Sequence, residues 1–312
     1  MKMRALLSAF ALGVALMAVP VVAALHYRLK PRKLTEDTYV IIGKTEDFTR
    51  ANGGNIVNAA FIVTRDGVVV IDTGPSRLYG EQMRKAISAV TSNPINRVLI
   101  THHHPDHYFG NQAFADVAIY ALSSTIAGMK EEGGSFADNL FRMSGDWMKG
   151  TESVPAKEVA TPEVLKIGGH ELELIALQGH TQGDLAILDR TTGVLFAGDL
   201  VFHQRAATTP HANIDEWLKA LEVLQRHPFK LMVPGHGDPI TDGRGIEQTR
   251  RYLTWLDAAL KKAAAEGMDM PELLSVQIPS EFAAIPLVQS EYERSVAHLF
   301  RGFETKVLGK AH

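Results

Sequence analysis

Between positions 102 and 107 the chain carries four imidazoles and one carboxylate: His102, His103, His104, Asp106 and His107, with Pro105 among them. Nitrogen and oxygen donors at this density suit a borderline divalent cation such as zinc. A histidine-rich surface loop would explain one such residue, but not His-x-His-x-Asp-His directly behind a strand signal. That signal is Arg97-Val98-Leu99-Ile100, an apolar, β-branched run. The donors therefore belong on a loop at the end of a strand, where a rigid sheet can hold them. Pro105 stiffens that loop, and Gly110-Asn111 reads as a turn after it.

Further donors stand in similar places downstream. His180 lies in Gly179-His180-Thr181, Asp199 in Gly198-Asp199, and His236 in Gly235-His236-Gly237. Each follows an apolar run, over 174–177, 194–197 and 229–233 respectively, and each is preceded by a glycine that lets backbone approach closely. Cysteine is absent from the chain. Thiolate ligands, disulfides and a cysteine nucleophile are thereby excluded, so a metal must be held by His, Asp or Glu.

The elements that position these donors are legible as runs. Strands are expected at 39–42, 56–64 and 67–71, the last two joined by the Arg65-Asp66-Gly67 hairpin signal. Met83, Ala86, Ile87 and Val90 share one face of a helix over 77–90. Strands follow at 97–100 and 117–122, then at 164–167, 171–177, 185–188, 194–197 and 229–233. A helix over 215–225 has Asn213 or Asp215 as its cap, and long amphipathic helices cover 245–265 and 291–308. The stretch 128–161, with Gly133-Gly134 inside it, reads as an insertion of short helical pieces and loops near the mouth of the site. Two successive β-then-α blocks, 35–130 and 160–240, predict an α/β chain of two sheets packed face to face with helices outside. The organisation expected is a signal peptide at 1–24, a linker at 25–36, a core at 37–245 and a helical extension at 246–312 packed on it.

Composition narrows the function. Charged residues make up 21% of the chain and the net charge is −3 with no long basic run. A nucleic-acid partner, which needs clustered Lys and Arg, is not expected. Lys2 and Arg4 precede an apolar stretch over 5–17, and Val22-Ala23-Ala24 offers a cleavage site. Arg28, Lys30, Arg32 and Lys33 follow at once and disfavour an anchor with its amino terminus inside. The expectation is an exported, periplasmic protein with no membrane attachment after cleavage.

Taken together, Ile71-Asp72-Thr73-Gly74, His102-x-His104-x-Asp106-His107, Gly179-His180-Thr181, Gly198-Asp199 and Gly235-His236-Gly237 resemble the metallo-β-lactamase-fold hydrolases over about 38–240. The resemblance implies an αββα sandwich of two mixed sheets. It also implies one metal held by His102, His104 and His180, a second held by Asp106, His107 and His236, and Asp199 bridging the two. His103 would face away, and Asp72 would orient a ligand imidazole, or else serve only as a turn residue. Within that fold, an Asp at position 199 with no cysteine resembles hydroxyacylglutathione hydrolases and phosphodiesterases more than dedicated β-lactamases. A nearer resemblance, carried by Asn55-Ile56-Val57-Asn58, 69–76, 102–114, Gly145-Asp146-Trp147-Met148 and 195–211, is to the quinoprotein relay system zinc metallohydrolases. It also extends to exported proteins associated with sulfur-oxidation gene clusters. That group implies a periplasmic quinoprotein as a possible partner.

Two zinc ions roughly 3.5–4 Å apart can clamp a water and lower its pKa toward about 7, giving a nucleophile for a small carbonyl substrate such as a thioester, ester or lactone. Asp106 is the residue expected to orient it or to pass a proton. An iron-dependent redox enzyme on the same fold and a non-catalytic accessory protein are the competing readings, separated by metal analysis and by turnover. His203, Arg205 and His211 lie after Asp199 and border the site, with Arg205 a candidate for a substrate carboxylate. Trp147 and Phe141 either line a pocket or pack the insertion. His170, His227 and His298 read as ordinary.

Overall fold

The computed structural model describes residues 25–309. The signal peptide expected at 1–24 lies outside the described residues, among which no helix is long and apolar enough to cross a membrane.

Period-two alternation builds two mixed sheets. The first runs in the order β1 (Arg32–Lys33), β2 (Thr38–Ile41), β3 (Ala59–Thr64), β4 (Gly67–Ile71), β5 (Ile95–Leu99), β6 (Ala118–Ala121) and β7 (Glu158–Val159). It is antiparallel from β1 to β4 and parallel from β4 to β7. The second contains β8 (Glu163–Ile167), β9 (His170–Leu177), β10 (Asp184–Asp189), β11 (Val194–Phe202) and β12 (Leu231–His236). Its only parallel pair is β11 with β12.

Alternate residues of each strand face opposite layers. Ala60 and Ile62 of β3, Val69 and Ile71 of β4, and Leu99 of β5 meet Leu172, Leu174, Leu185, Ile187 and Phe196 of the second sheet between the layers. Phe61, Val68, Val70 and Val98 face outward onto α1 (Arg77–Ser88) and α3 (Ser123–Ser144). On the far side Ala186, Leu195 and Ala197 pack under α4 (Ile214–Arg226) and α5 (Arg244–Glu266). The short α2 (Pro105–Tyr108) carries part of the histidine cluster, while α6 (Met270–Leu274), α7 (Ser280–Ala283) and α8 (Val288–Leu308) complete the second outer layer. The result is the αββα sandwich that the β-then-α blocks predict.

Helix starts follow side-chain capping. Ser76 Oγ accepts from the Tyr79 amide at 3.0 Å, and Asn213 Oδ1, not Asp215, accepts from the Glu216 amide at 3.2 Å.

Three local expectations are corrected. The stretch 123–144 is not a set of short pieces but one helix of 22 residues. Its glycines are sites of close packing: a Cβ on Gly133 would collide with Ser153, and one on Gly128 would come within 2.7 Å of the His103 ring. Gly-Gly reads locally as a break, yet here it admits close approach of the helix, outweighing a propensity cost of about 1 kcal/mol each. The stretch 25–36 is not a free linker. Tyr27 is buried, its hydroxyl donates to Gly53 O at 2.9 Å, and β1 pairs with β2. Finally, the turn expected at Gly110-Asn111 is a 3-10 helix, Phe109–Phe114, continuing from α2, whose first residue is Pro105.

Candidate metal centre

Strand ends deliver the donors to one place. β5 leads into Thr101 and His102, β9 ends at Leu177 just before His180, β11 carries Asp199, and β12 ends on His236. The loop after β5 supplies His102 and His104, and α2 then turns Asp106 and His107 inward. All seven residues expected as ligands are brought together, and all are buried.

They fall into two groups. His102, His104, His180 and Asp199 offer donor atoms within 4.8 Å of one another, and so do Asp106, His107 and His236. Asp199 lies between the groups: its Oδ2 is 3.4 Å from His180 Nε2 and 3.2 Å from His236 Nε2, and its Oδ1 is 3.1 Å from His107 Nε2. Asp106 Oδ2 stands 3.4 Å from His236 Nε2.

The outward nitrogens of several rings are already engaged, which orients the inward ones. His107 Nδ1 donates to Asp72 Oδ2 at 2.7 Å, and His236 Nδ1 donates to Ile56 O at 2.8 Å. Asp72 also accepts from the Thr101 amide at 2.8 Å and the Thr101 hydroxyl at 2.9 Å. Its φ of 58° is left-handed, a strained setting that Asp tolerates better than most residues.

A divalent cation fits this set. His102 Nε2, His107 Nε2 and Asp199 Oδ1 are buried without hydrogen-bond partners, an expensive arrangement unless something else satisfies them. Burial pushes His102 and His104 well below the usual imidazole range and takes His180 down to about 3. Their neutral rings keep lone pairs available to a metal. Burial opposes charge on His107, but Asp199, Asp72 and Asp106 outweigh it and raise its pKa. Burial likewise opposes charge on Asp199, but His236 and His107 hold it well below the carboxylate range.

A cavity of about 360 Å³ opens from these donors. His104, Asp106, Asp199 and His236 line it together with Phe48, Ile56, Phe136, Leu140, Met143 and Pro210. Arg205 borders it but is 2% exposed and faces Glu291 Oε1 of α8 at 3.2 Å, so its charge is engaged within the fold. His203 Nδ1 donates to Asp238 O at 3.0 Å. Trp147 lies outside the cavity, its ring tilted 45° against that of Tyr27 with centroids 4.3 Å apart, and Phe141 is 54% exposed. The segment lines the site instead with Phe136, Leu140 and Met143, one helix face on a helix that its local sequence disguises.

His103 points out of the donor cluster to Glu132 of α3, its Nε2 lying 3.0 Å from Oε1. Two residues extend outward from the donors: His211, which the sequence placed only at the border of the site, and Glu132, which it did not single out. His211 Nδ1 is 2.8 Å from His104 Nε2, and Glu132 Oε2 is 2.8 Å from His211 Nε2. The only available signal for Glu132 would have been its spacing of four from Gly128 on one helix face.

Residues 52–236 match the model of the metallo-beta-lactamase superfamily. The chain is similar to the metallo-beta-lactamase IND-1 of Chryseobacterium indologenes, with 25% identity covering 63% of this chain and 77% of that one. It is similar to the human acyl-coenzyme A thioesterase MBLAC2, with 24% identity covering 64% and 80%. Among solved structures, a metallo-beta-lactamase from Pontibacter korlensis aligns with a TM-score of 0.59 at 24% identity, covering 73% of this chain and 99% of that one. That likeness speaks for the fold alone. The family match spans more than half of the sequence and runs from the loop before β3 to the last donor, His236; the chain belongs to the metallo-beta-lactamase superfamily.

Proposed function

We propose that this protein is a dinuclear zinc-dependent hydrolase of a small carbonyl substrate: a thioester, ester, lactone or related compound. One observation carries the reading: two buried groups of His and Asp donors meet at the single carboxylate of Asp199, which faces both. Hydrolysis is also the chemistry named for relatives as different as a β-lactamase and a thioesterase. In this reading His102, His104 and His180 hold one ion, Asp106, His107 and His236 the other, and Asp199 both. When bound, such a pair lowers the pKa of a shared water to about 7 and polarises a carbonyl.

The chain's own residues supply the rest. Asp106, at the buried end of the cavity, orients the attacking water and holds its proton on a carboxylate oxygen. The apolar walls at Phe136, Leu140 and Met143 exclude bulk water and strengthen the electrostatics at the buried end. A volume of about 360 Å³ suits a small molecule. The basic, then apolar, start of the sequence supports export of the enzyme.

The test is metal content with turnover. Protein purified without added metal should contain two zinc per chain and hydrolyse members of a carbonyl ester and thioester panel. Asp106→Asn should lose at least about 100-fold in kcat, in keeping with a general acid–base contribution of about 10²–10⁴, and Asp199→Ala, which removes the carboxylate shared by the two donor groups, should abolish activity together with the paired metal binding. Stoichiometric iron with oxygen uptake would replace this reading by a redox one, and full activity in both variants would refute it.

A further inference from the structure

We infer that Glu132, acting through His211, fixes the proton position on the His104 ring and so holds His104 Nδ1 as a bare donor facing the metal centre. Glu132 and His211 are positioning residues in this scheme, which rests on the reading of His104 as a ligand.

The inference starts from three contacts in a row. Glu132 Oε2 is 2.8 Å from His211 Nε2, His211 Nδ1 is 2.8 Å from His104 Nε2, and His104 Nδ1 is 2.8 Å from His180 Nε2. A neutral imidazole has one donor and one acceptor nitrogen, so one end of a chain of imidazoles sets the other. That end is Glu132. Its second oxygen, Oε1, also faces an imidazole nitrogen, His103 Nε2 at 3.0 Å. Both oxygens of a carboxylate accept, so His211 Nε2 carries hydrogen, and in the neutral His211 ring Nδ1 then does not. His104 Nε2 must then donate to His211 Nδ1, which leaves His104 Nδ1 with its lone pair directed at His180 and the Asp199 group. In the metal-free protein His180 Nε2 donates to that lone pair, consistent with the unpartnered His180 Nδ1.

Two of the other donors have nearer anchors: Asp72 for His107 and the Ile56 carbonyl for His236. The outward nitrogen of His104 meets neither a backbone carbonyl nor a carboxylate among the described residues, but His211. The carboxylate is therefore supplied one residue further out, from α3. The local geometry of α3 is built for this. Gly128, four residues before Glu132, lies on the same face, and the lack of a side chain there lets the helix come against the His103 ring.

The test reads protons and metal rather than turnover. Nitrogen-15 spectra of the metal-free, histidine-labelled protein should show His104 protonated at Nε2, and His211→Phe and Glu132→Gln should each shift that population toward Nδ1–H. Chelator competition should show one of two zinc ions held 10- to 100-fold more weakly in both variants, the other unchanged. His211→Asn, whose side-chain carbonyl can still accept from His104, should recover most of the loss. A proton on His104 Nδ1 in the wild type would overturn the inference. So would wild-type tautomer and zinc affinity in both His211→Phe and Glu132→Gln. Should the wild type bind no zinc, the dinuclear reading fails, and the tautomer of His104 still decides the role of Glu132.

Discussion

At the scale of single residues, the centre depends on which side of each ring carries hydrogen. Asp72 is the sharpest case, because all of its contacts need an acceptor: Oδ1 takes the Thr101 amide, and Oδ2 takes both the Thr101 hydroxyl and His107 Nδ1. Asn at this position tolerates the left-handed backbone. The Thr101 amide would pin its carbonyl at the Oδ1 place, so its NH2 would face His107. That turns the donor at His107 Nδ1 into a clash of two donors, relieved only by moving the proton to Nε2, where it blocks a metal. Asp72→Asn is expected to weaken one bound zinc by about 10- to 100-fold, read by chelator competition, while the fold persists by circular dichroism. Unchanged affinity would show that the carboxylate serves the turn alone.

At the scale of elements, α3 shows what a glycine does by where it stands. Gly134 has nothing within 4 Å of a notional Cβ, whereas Gly128 is pressed on His103. Gly134→Ala is expected to stabilise the protein by about 0.5–1 kcal/mol through the helix alone, raising the midpoint of thermal unfolding. Gly128→Ala gains the same propensity but forces the helix off the histidine, so the midpoint should fall. Rises in both would mean that α3 is not packed as described. The same helix marks the boundary of what the sequence could reveal. Strands such as β4 and β5 were legible because their apolar runs are continuous and end in punctuating residues. The donors were legible because they stand where those strands end. α3 was not, since a Gly-Gly pair in a long helix carries its packing reason only in the partner: Ser153 for Gly133, His103 for Gly128. Glu132 was hidden with it, and so was its link to His211, which the sequence placed only at the border of the site. The two are 79 positions apart, and no local period links them; only the folding of α3 over the loop after β11 brings them within 2.8 Å.

At the scale of the whole molecule, the two sheets are tied together at the end away from the metal centre. β9 begins at His170 and ends at Leu177, three residues before His180, so the two histidines lie beyond opposite ends of its central run. His170 Nδ1 meets Asp189 Oδ2 of β10 at 2.9 Å, and its Nε2 meets Asp37 Oδ2, just before β2 of the other sheet, at 3.2 Å. Read from sequence, this ring is ordinary. Its hydrogen bond to Asp189 raises its pKa, burial works the other way, and the Asp189 and Asp37 charges add to the rise. The folded-state pKa therefore lies above the unfolded value of about 6.5. The stabilisation is fully present below that unfolded value and is lost as pH rises through the folded one. Asp189 is shifted the opposite way, because its hydrogen bonds outweigh its burial, so its share is lost only in acid. His170→Gln should consequently lower the unfolding midpoint of the metal-free protein more at pH 6 than at pH 9. Zinc affinity at neutral pH should stay as in the wild type, because the ring touches none of the donors. A gap between variant and wild type that is constant from pH 6 to pH 9 would mean that the charge on His170 contributes nothing to holding the sheets together, and that only its packing does.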